Sequence, residues 1–587
     1  MPVAVTTRSF DLARTGANAA ETILTPAAVA ARGVKQQLVL QTPDDPRLEA
    51  QPLYLPGVTI GGAQRSVIFQ ATMGNWVYAW DADTGAEIWK TQLGRAINGS
   101  EAIDAHNINV LWGVLSTPVI DQKAGILYVC YWSSADGTWQ NGRHFLTSLN
   151  IATGAQTHAP LDLEGAQFAP GGGLPALQFK SMERKQRSGL TLLQGAVLIP
   201  FGTIAETGGD ARGWLIAIDI KSWSIAATWC STARGTGGGI WMSGAAPAVH
   251  SDGSIWVVTG NGDFDGQHDF GESVVRLRYT PPAAGGAGSF AVTGWWTPWT
   301  DDGRLGENPG GEAIKAVLPA RRPSNFRTNS FLARIGMADM GGDWSDQDLG
   351  ASGVVLIEEL GIGLVSGKDG ILYTIRLDSP GDTTQASLAP AAAAGNYAKL
   401  AAPPILYTFV DPGIEPAATR AAALNVFSAN RTHHLHGTPI AWKSGKGWVH
   451  FCGGENGNLR AWQVEASLAS AYLGCSAAYA SPESAVPFGG MPGWSIALSA
   501  NGGGDGIVWA MIPYNDANLM ITNSRLLAYD AQDFARFGDG SGEIVPLWDS
   551  QQWAWNLLHP KFNRPVPVDG KILVPTYGGE LLVLSLA

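Results

Sequence analysis

Short runs of apolar residues, each ending at a polar turn that contains glycine, recur along this sequence. The segment Val77–Lys90 (VYAWDADTGAEIWK) shows the pattern: an apolar run reaches Asp81, a turn follows at Thr84–Gly85, and a second run ends on Trp89. Two runs rich in β-branched and aromatic residues, joined by a glycine turn, are typical of a β-hairpin. Because one hairpin cannot bury its own apolar face, we expect the unit to repeat.

The unit does repeat, and eight copies can be counted. They lie at Val67–Lys90, Ser116–Gln156, Leu190–Trp229, Gly244–Trp299, Gly353–Ile375, Gly437–Trp462, Trp494–Trp548 and Val566–Leu586. The last copy is short of one strand, which the isolated apolar run Gln36–Leu40 can supply. We therefore predict an all-β, eight-bladed β-propeller whose last blade is closed by an N-terminal strand. An open β-solenoid is the alternative.

Some segments fall outside the repeated units. We predict a single propeller domain over residues 1–587, with loop insertions near 161–187, 280–350 and 378–436. Long loops on one rim of a rigid scaffold commonly carry function. Before the first unit, Thr25–Gly33 (TPAAVAARG) predicts one short helix, with threonine as its N-cap, proline at its first position and glycine at its end.

Composition and charge exclude several classes of function. Only 15% of residues are charged, while glycine (74) and tryptophan (23) are abundant, which suits tight turns between buried strands. The net charge of −12 predicts no basic face, so we expect no nucleic-acid partner. No apolar run approaches ~18 residues, so we expect no membrane span.

The N-terminus and the cysteines bear on the compartment. The first residues lack the basic stretch and apolar core of a signal peptide. We therefore expect either a cytoplasmic protein or the mature form of a periplasmic or secreted protein. The four cysteines are far apart and have no metal-type spacing. Cys130 and Cys452 lie in apolar strand patterns, so we expect them to be buried.

The positions at which blades begin and turn point towards the axis of a propeller, so they form a list of candidate site residues. These positions include Glu49, Asn75, Trp112, Arg187, Glu206, Trp241, Asn261, Lys368, His434, His436 and Glu455.

The repeat AWDADTGAEIWK resembles that of the pyrroloquinoline-quinone (PQQ) dehydrogenases, a family of eight-bladed propellers. The resemblance implies that Glu49, in LEAQP, contacts the quinone and that Trp241, in GGGIWMSG, forms the floor beneath its ring. It also implies a catalytic base at Asp301 or Asp302, in WWTPWTDD. The resemblance further implies that Lys368, in GKDGILYTI, contacts both the quinone and the catalytic base.

The same resemblance implies a metal site. Glu206, in FGTIAETGGDARGWL, and Asn261, in WVVTGN, would bind Ca²⁺, a hard cation that takes oxygen ligands. If Asp301 and Asp302 both reach the metal, a lanthanide becomes the alternative. Members of the family usually carry two adjacent cysteines over the quinone, but residues 98–115 contain none. Trp112 is then the candidate for covering the quinone.

The resemblance therefore implies an oxidoreductase that uses PQQ and a metal to oxidise an alcohol or aldehyde. The metal would polarise the quinone carbonyl, and the aspartate would take the alcohol proton. If Glu206 and Asn261 share one cation, their ligating oxygens must lie within about 6 Å of each other, given bonds of ~2.4 Å. The sequence has no haem-attachment motif, so the electrons would leave to a separate acceptor.

Two hypotheses without a quinone remain open. His434 and His436, two residues apart, have a spacing suited to a transition metal on one face of a strand. With Glu455 they predict a metal-dependent hydrolase, lyase or oxidase, unless the histidines only hydrogen-bond the neighbouring backbone. The other hypothesis is a propeller that binds a protein or glycan. It predicts an axis filled by apolar side chains and an exposed apolar patch at the rim.

Overall fold

Eight sheets of four or five strands succeed one another along the chain. The computed structural model describes residues 3–45, 47–205, 210–283, 286–297, 299–301, 327–329, 348–368, 371–378, 406–407, 434–466, 470–482, 490–534, 543–552 and 557–587. The sheets confirm the predicted all-β, eight-bladed propeller, and we number the blades 1 to 8 in chain order. The predicted insertions at 280–350 and 378–436 fall largely outside the described residues.

The first four blades occupy the N-terminal half of the chain. Blade 1 contains strands Leu53–Ile60, Ala63–Ala71, Trp76–Asp81 and Glu87–Gln92. Blade 2 contains Val119–Asp121, Ile126–Ser133, Arg143–Asn150 and Leu161–Asp162. Blade 3 contains Arg184–Lys185, Thr191–Leu193, Ala196–Thr203, Trp214–Asp219 and Ser224–Cys230. Blade 4 contains Ala248–Val249, Ser254–Val258, Val274–Thr280 and Ser289–Trp296.

The other four blades follow in order. Blade 5 contains Val355–Ile357, Ile362–Ser366, Ile371–Arg376 and Leu406–Tyr407. Blade 6 contains Ile440–Ser444, Gly447–Gly453, Asn458–Val464, Ser470–Tyr479 and Glu543–Ile544. Blade 7 contains Ala17–Asn18, Ser495–Asn501, Gly504–Pro513, Ser524–Asp530 and Trp548–Asp549. Blade 8 contains Val566–Val568, Lys571–Pro575, Glu580–Leu586 and Val34–Gln41.

Helices are few among the described residues. The α-helix is Pro26–Arg32, and the Thr25 hydroxyl accepts a hydrogen bond from the Ala28 N–H at 3.2 Å, as the sequence predicted. Single 3₁₀ turns lie at Ser181–Glu183, Met242–Gly244, Leu349–Ala351, Glu358–Leu360 and Ser550–Gln552. Two-stranded ribbons pair Ile97–Asn98 with Leu111–Trp112, Gln167–Phe168 with Leu177–Gln178, and Trp299–Asp301 with Arg327–Asn329. No helix within the described ranges has the length and apolar character needed to cross a membrane.

The hydrophobic core lies between neighbouring blades. One apolar cluster joins blade 8 to blades 1 and 2, and another joins blades 3, 4 and 5. Further clusters join blades 2 and 3, blades 5 and 6, blades 6 and 7, and blades 7 and 8. Strands covered on both faces show no alternation of buried and exposed residues, and Ile362–Ser366 is an example: all five of its residues are buried, including the polar Ser366. All four cysteines are free thiols, and Cys130 and Cys452 are buried, as expected.

The ring is closed by the two ends of the chain. Strand Val34–Gln41 pairs in antiparallel fashion with Glu580–Leu586, so that Val34 lies opposite Leu586 and Gln41 opposite Glu580. The predicted closing strand, Gln36–Leu40, is therefore confirmed.

A second closing element was not predicted: the N-terminal segment 3–18 runs round the inner edge of the ring and contacts its blades in order. It makes backbone hydrogen bonds to the first strands of blades 1, 2, 4, 5 and 6 and to strand Ser495–Asn501 of blade 7. The bonded pairs are Val5 with Tyr54, Thr6 with Ile120, Leu12 with Val249, Ala13 with Leu356, Thr15 with Ala441 and Gly16 with Leu498. The Asn18 side chain donates to the Pro567 carbonyl of blade 8 at 3.1 Å. Gly16 (φ +72°) has to be glycine, because a Cβ there would lie 2.4 Å from Ile440.

Arg14 fixes this segment to blade 3. Its side chain is fully buried. Its guanidinium donates hydrogen bonds of 2.7 to 3.0 Å to the carbonyls of Arg8, Asp11 and Pro247 and to the hydroxyls of Thr7 and Thr191. Removing the guanidinium would take a hydrogen bond from each of these acceptors, most of which are buried, and an unsatisfied buried acceptor is costly.

We expect Arg14→Ala to lower the free energy of unfolding by about 3–5 kcal/mol, because it removes a buried charged group that holds several hydrogen bonds. Urea unfolding followed by tryptophan fluorescence measures the change. Arg32→Ala is the matched control: Arg32 also bonds a carbonyl, that of Ala587 at 2.9 Å, but on the surface, so its loss should cost less than about 0.5 kcal/mol. If the two substitutions lowered the free energy of unfolding equally, the proposed role of Arg14 in fixing segment 3–18 to blade 3 would be contradicted.

Candidate functional site

A cavity of about 210 Å³ lies where loops of blades 3, 4, 5, 7 and 8 meet. Four residues that the sequence singled out line it together: Arg187, Trp241, Asn261 and Lys368. The Lys368 ammonium lies 5.5 Å from the centre of the Trp241 ring, within range of a cation–π interaction. Four different segments of the chain thus bring these side chains to one place.

Asp348 also lines this cavity, and the sequence analysis missed it. Its Oδ2 lies 2.8 Å from Lys368 Nζ, and both side chains are buried. Its Oδ1 accepts a hydrogen bond from the Asn261 backbone N–H at 2.9 Å, and its carbonyl accepts one from the Lys368 N–H at 3.0 Å. Like Glu49, Asp348 comes a few residues before the first strand of a blade, so the same positional criterion could have found it.

Close approach of these loops depends on Gly260. A Cβ at this position would lie 2.2 Å from Asp348 Oδ1 and 3.2 Å from Trp241 Nε1. The Gly260 N–H donates a hydrogen bond to the Gly239 carbonyl at 3.0 Å, which ties the Trp241 loop to the Asn261 loop. Any side chain at Gly260 would therefore separate Trp241 from Asp348.

Basic side chains dominate the lining. Among the described lining residues, Lys185, Arg187, Lys368 and Lys561 face a single carboxylate, that of Asp348, although the chain as a whole is acidic. Burial, and next the charge of Arg187, lower the pKa of Lys185 and of Lys561 to about 8 in each case. The cavity is thus a region of positive potential that favours an anionic ligand.

Glu49 supports the cavity through Arg187. The Arg187 guanidinium forms a buried ion pair with the Glu49 carboxylate. The Tyr577 hydroxyl donates a further hydrogen bond to that carboxylate, and the Asn109 amide does so at 3.1 Å. Burial, and next the negative charge of Glu49, raise the pKa of Tyr577, so this hydroxyl keeps its proton. Glu49 therefore holds Arg187 in position from a site next to the lining.

Aromatic rings lie beside the charges. The Phe562 ring meets the Trp241 ring edge-on, with centroids 5.9 Å apart, and Arg187 lies 5.0 Å from the Phe562 centroid. Trp112 is buried and lies 4.9 Å from the Lys185 ammonium. Phe562 has a backbone φ of +61°, a conformation that is uncommon for a bulky residue and is found more often at functional sites.

His434, His436 and Glu455 also come together, beside the cavity. His436 Nδ1 lies 2.9 Å from Glu455 Oε1, and His434 Nδ1 lies 3.7 Å from Glu455 Oε2. The His436 ring centroid is 6.0 Å from that of Trp241. The two sites that the sequence analysis treated as rivals are therefore neighbours.

Of the remaining candidates, Asn75 is buried, and its side-chain amide donates a hydrogen bond to the Trp132 carbonyl at 2.8 Å. Glu206 and Asp302 lie outside the described residues. Asp301 ends a short strand, but its side chain is not described. The distance between the Glu206 and Asn261 oxygens, and the roles of Asp301 and Asp302, stay predictions.

The fold is similar to that of known dehydrogenases, although the sequence is not. No protein-family model matches the chain, and no curated protein matches it in sequence. The structure resembles that of the quinohemoprotein alcohol dehydrogenase from Comamonas testosteroni, with a TM-score of 0.54, 13% identity and coverage of 100% of this chain and 80% of that one. It also resembles the quinohemoprotein alcohol dehydrogenase ADHIIG from Pseudomonas putida HK5, with a TM-score of 0.51, 13% identity and the same coverage of 100% and 80%. The chain thus has the eight-bladed propeller fold of quinoprotein dehydrogenases.

Proposed function

We propose that this protein is an oxidoreductase that holds PQQ in the cavity and oxidises an alcohol or aldehyde there. The observation that carries the proposal is the buried ion pair between Asp348 and Lys368 beside Trp241. A carboxylate fixed next to a flat aromatic ring can take a proton from a substrate hydroxyl while hydride leaves the carbon. The likeness in fold to two quinohemoprotein alcohol dehydrogenases supports the same class of reaction.

The residues present fit PQQ. PQQ is a planar aromatic quinone that carries three carboxylates. Lys185, Arg187 and Lys561 offer charge-assisted hydrogen bonds to such carboxylates. Trp241 and Phe562 offer apolar surface to a flat ring.

Each side chain then has a defined task. When bound, PQQ supplies the electrophilic carbonyl that accepts the hydride. Asp348 takes the hydroxyl proton, the role that the sequence analysis gave to Asp301 or Asp302. The Asn261 N–H and the Lys368 ammonium hold the two Asp348 oxygens, and a carboxylate oxygen has a second lone-pair site for the incoming proton. Lys368, held in turn by the Asp348 carboxylate, stays close to Trp241.

A hard cation fits the oxygen donors of the proposed site. Asn261 lines the cavity and its amide oxygen is a ligand type that Ca²⁺ and lanthanides accept. We propose that Asn261 and Glu206 hold this cation. The alternative hypothesis, a propeller that only binds a protein or glycan, predicts an axis filled by apolar side chains. Charged side chains line this cavity instead, which favours an enzyme.

We expect purified protein to bind PQQ in the presence of Ca²⁺ or a lanthanide, and less tightly in EDTA. Dye-linked oxidation of alcohols should accompany binding. Asp348→Asn keeps the shape of the side chain, so it should still bind PQQ but lose turnover by about 10²–10⁴-fold, the usual contribution of a positioned base. Equilibrium dialysis and steady-state kinetics measure the two effects separately.

Asp569→Asn is the matched control for this experiment. Asp569 accepts hydrogen bonds from the Tyr54 hydroxyl at 2.9 Å and the Val3 N–H at 3.2 Å, away from the cavity. The turnover of the Asp569→Asn variant should equal that of the wild type. Absence of PQQ binding with every metal would refute the proposal, and normal turnover of Asp348→Asn would refute the role of Asp348.

The affinity for PQQ should depend on pH through the two lysines. Both have a lowered pKa of about 8, so they are charged below that pH and lose their protons above it. Binding of the carboxylates should therefore weaken as the pH rises from 7 to 9. At pH 7, Lys561→Met should lower the affinity roughly tenfold or more, since a hydrogen bond to a charged group contributes about 1.5–3 kcal/mol.

Lys443→Met serves as the control, because Lys443 forms a surface ion pair with Glu359 at 2.6 Å. It should leave both the affinity and its pH dependence unchanged. An affinity for PQQ that stays constant from pH 7 to 9 would contradict the assignment of Lys185 and Lys561 to the carboxylates. Isothermal titration at several pH values provides the measurement.

A further inference from the structure

Two imidazoles and one carboxylate converge at the entry to blade 6. His434 and His436 precede its first strand, and Glu455 lies in the turn between its second and third strands. The Glu455 N–H donates a hydrogen bond to the His434 carbonyl at 3.0 Å, which fixes the two segments to each other. One ligand atom from each side chain lies within 4.8 Å of the others.

The distances suit ligands of one ion. His436 Nδ1 and His434 Nδ1 lie 2.9 and 3.7 Å from the two Glu455 oxygens. Adjacent ligands at metal bonds of about 2.1 Å are separated by about 3.0–3.5 Å, so small side-chain rotations would complete the coordination. The His436 and Glu455 side chains are buried and that of His434 is 23% exposed, so an ion could enter from the His434 side.

The donor set indicates the class of metal. Imidazole nitrogens suit zinc, iron, cobalt, nickel and copper, whereas Ca²⁺ and Mg²⁺ prefer oxygen ligands. Two histidines and one carboxylate, supplied by the protein, leave at least one position of the ion open to water or to a substrate oxygen.

We propose that His434, His436 and Glu455 bind one divalent first-row transition-metal ion, next to the Trp241 side of the cavity. This site is separate from the hard-cation site proposed at Asn261 and does not depend on PQQ. The His436 ring centroid lies 6.0 Å from that of Trp241 and 5.8 Å from that of Phe562, so the ion would be a close neighbour of the cavity.

The test is titration of EDTA-treated, PQQ-free protein with Co²⁺, followed by its visible absorption, and with Zn²⁺, followed by calorimetry. We expect one ion per chain, not displaced by excess Ca²⁺. His434→Ala and Glu455→Gln should each weaken binding by more than the roughly 10–100-fold that loss of an outer-shell partner costs. Glu455→Gln preserves size and polarity, and circular dichroism verifies that both variants are folded.

Two controls locate the ion. His250→Ala removes an imidazole that has carboxylate neighbours, Asp252 at 3.1 Å and Glu358 at 3.8 Å, and it should bind Co²⁺ as the wild type does. Asp348→Asn should also bind Co²⁺ normally, which separates this site from the PQQ cavity. Absence of Co²⁺ and Zn²⁺ binding, or equal affinities in the wild type, His434→Ala and Glu455→Gln, would overturn the proposal and leave the three side chains as a hydrogen-bonded group. Loss of binding in Asp348→Asn would also overturn it.

Discussion

Closure of the ring is the constraint on which the rest of this structure depends. Strand Val34–Gln41 completes blade 8, and the segment 3–18 then hydrogen-bonds the inner strands of successive blades. The cavity has residues from blades 3, 4, 5, 7 and 8, so it exists only when the blades are held at fixed angles round the axis. The buried Arg14, which joins this segment to blade 3, is part of what holds them.

The closed ring buries four charged groups at the cavity as two ion pairs. Asp348 with Lys368 and Glu49 with Arg187 are both buried ion pairs, in which each partner offsets part of the cost of burying the other. Lys185 and Lys561 add positive charge that neither pair balances. This excess of positive charge favours the binding of an anion. Because the two ion pairs are already formed, the lining side chains need little reorganisation when the anion binds.

The order of blades in the sequence located part of the site. Trp241, Asn261 and Lys368 could be predicted because each occupies an inner turn of a blade, and inner turns meet at the axis. Asp348 meets the same positional criterion, but the sequence gives no sign of its ion pair with Lys368, and nothing in the sequence places Lys561 in the cavity. A lysine or aspartate in a loop ordinarily faces water, and only the neighbouring blades bury Asp348 and partly cover Lys561.

The sequence by itself determined the repeated hairpin, the number of blades, the strand that closes the ring and the helix Pro26–Arg32. All of these follow from local patterns of apolar residues, turns and caps, because strand and helix formation is governed by nearby residues. Only the tertiary structure decided that Arg187 pairs with Glu49, 138 residues earlier in the chain, and that His436 lies against Trp241. Contacts between blades depend on the angle at which the sheets pack round the axis, and no local pattern of residues encodes that angle.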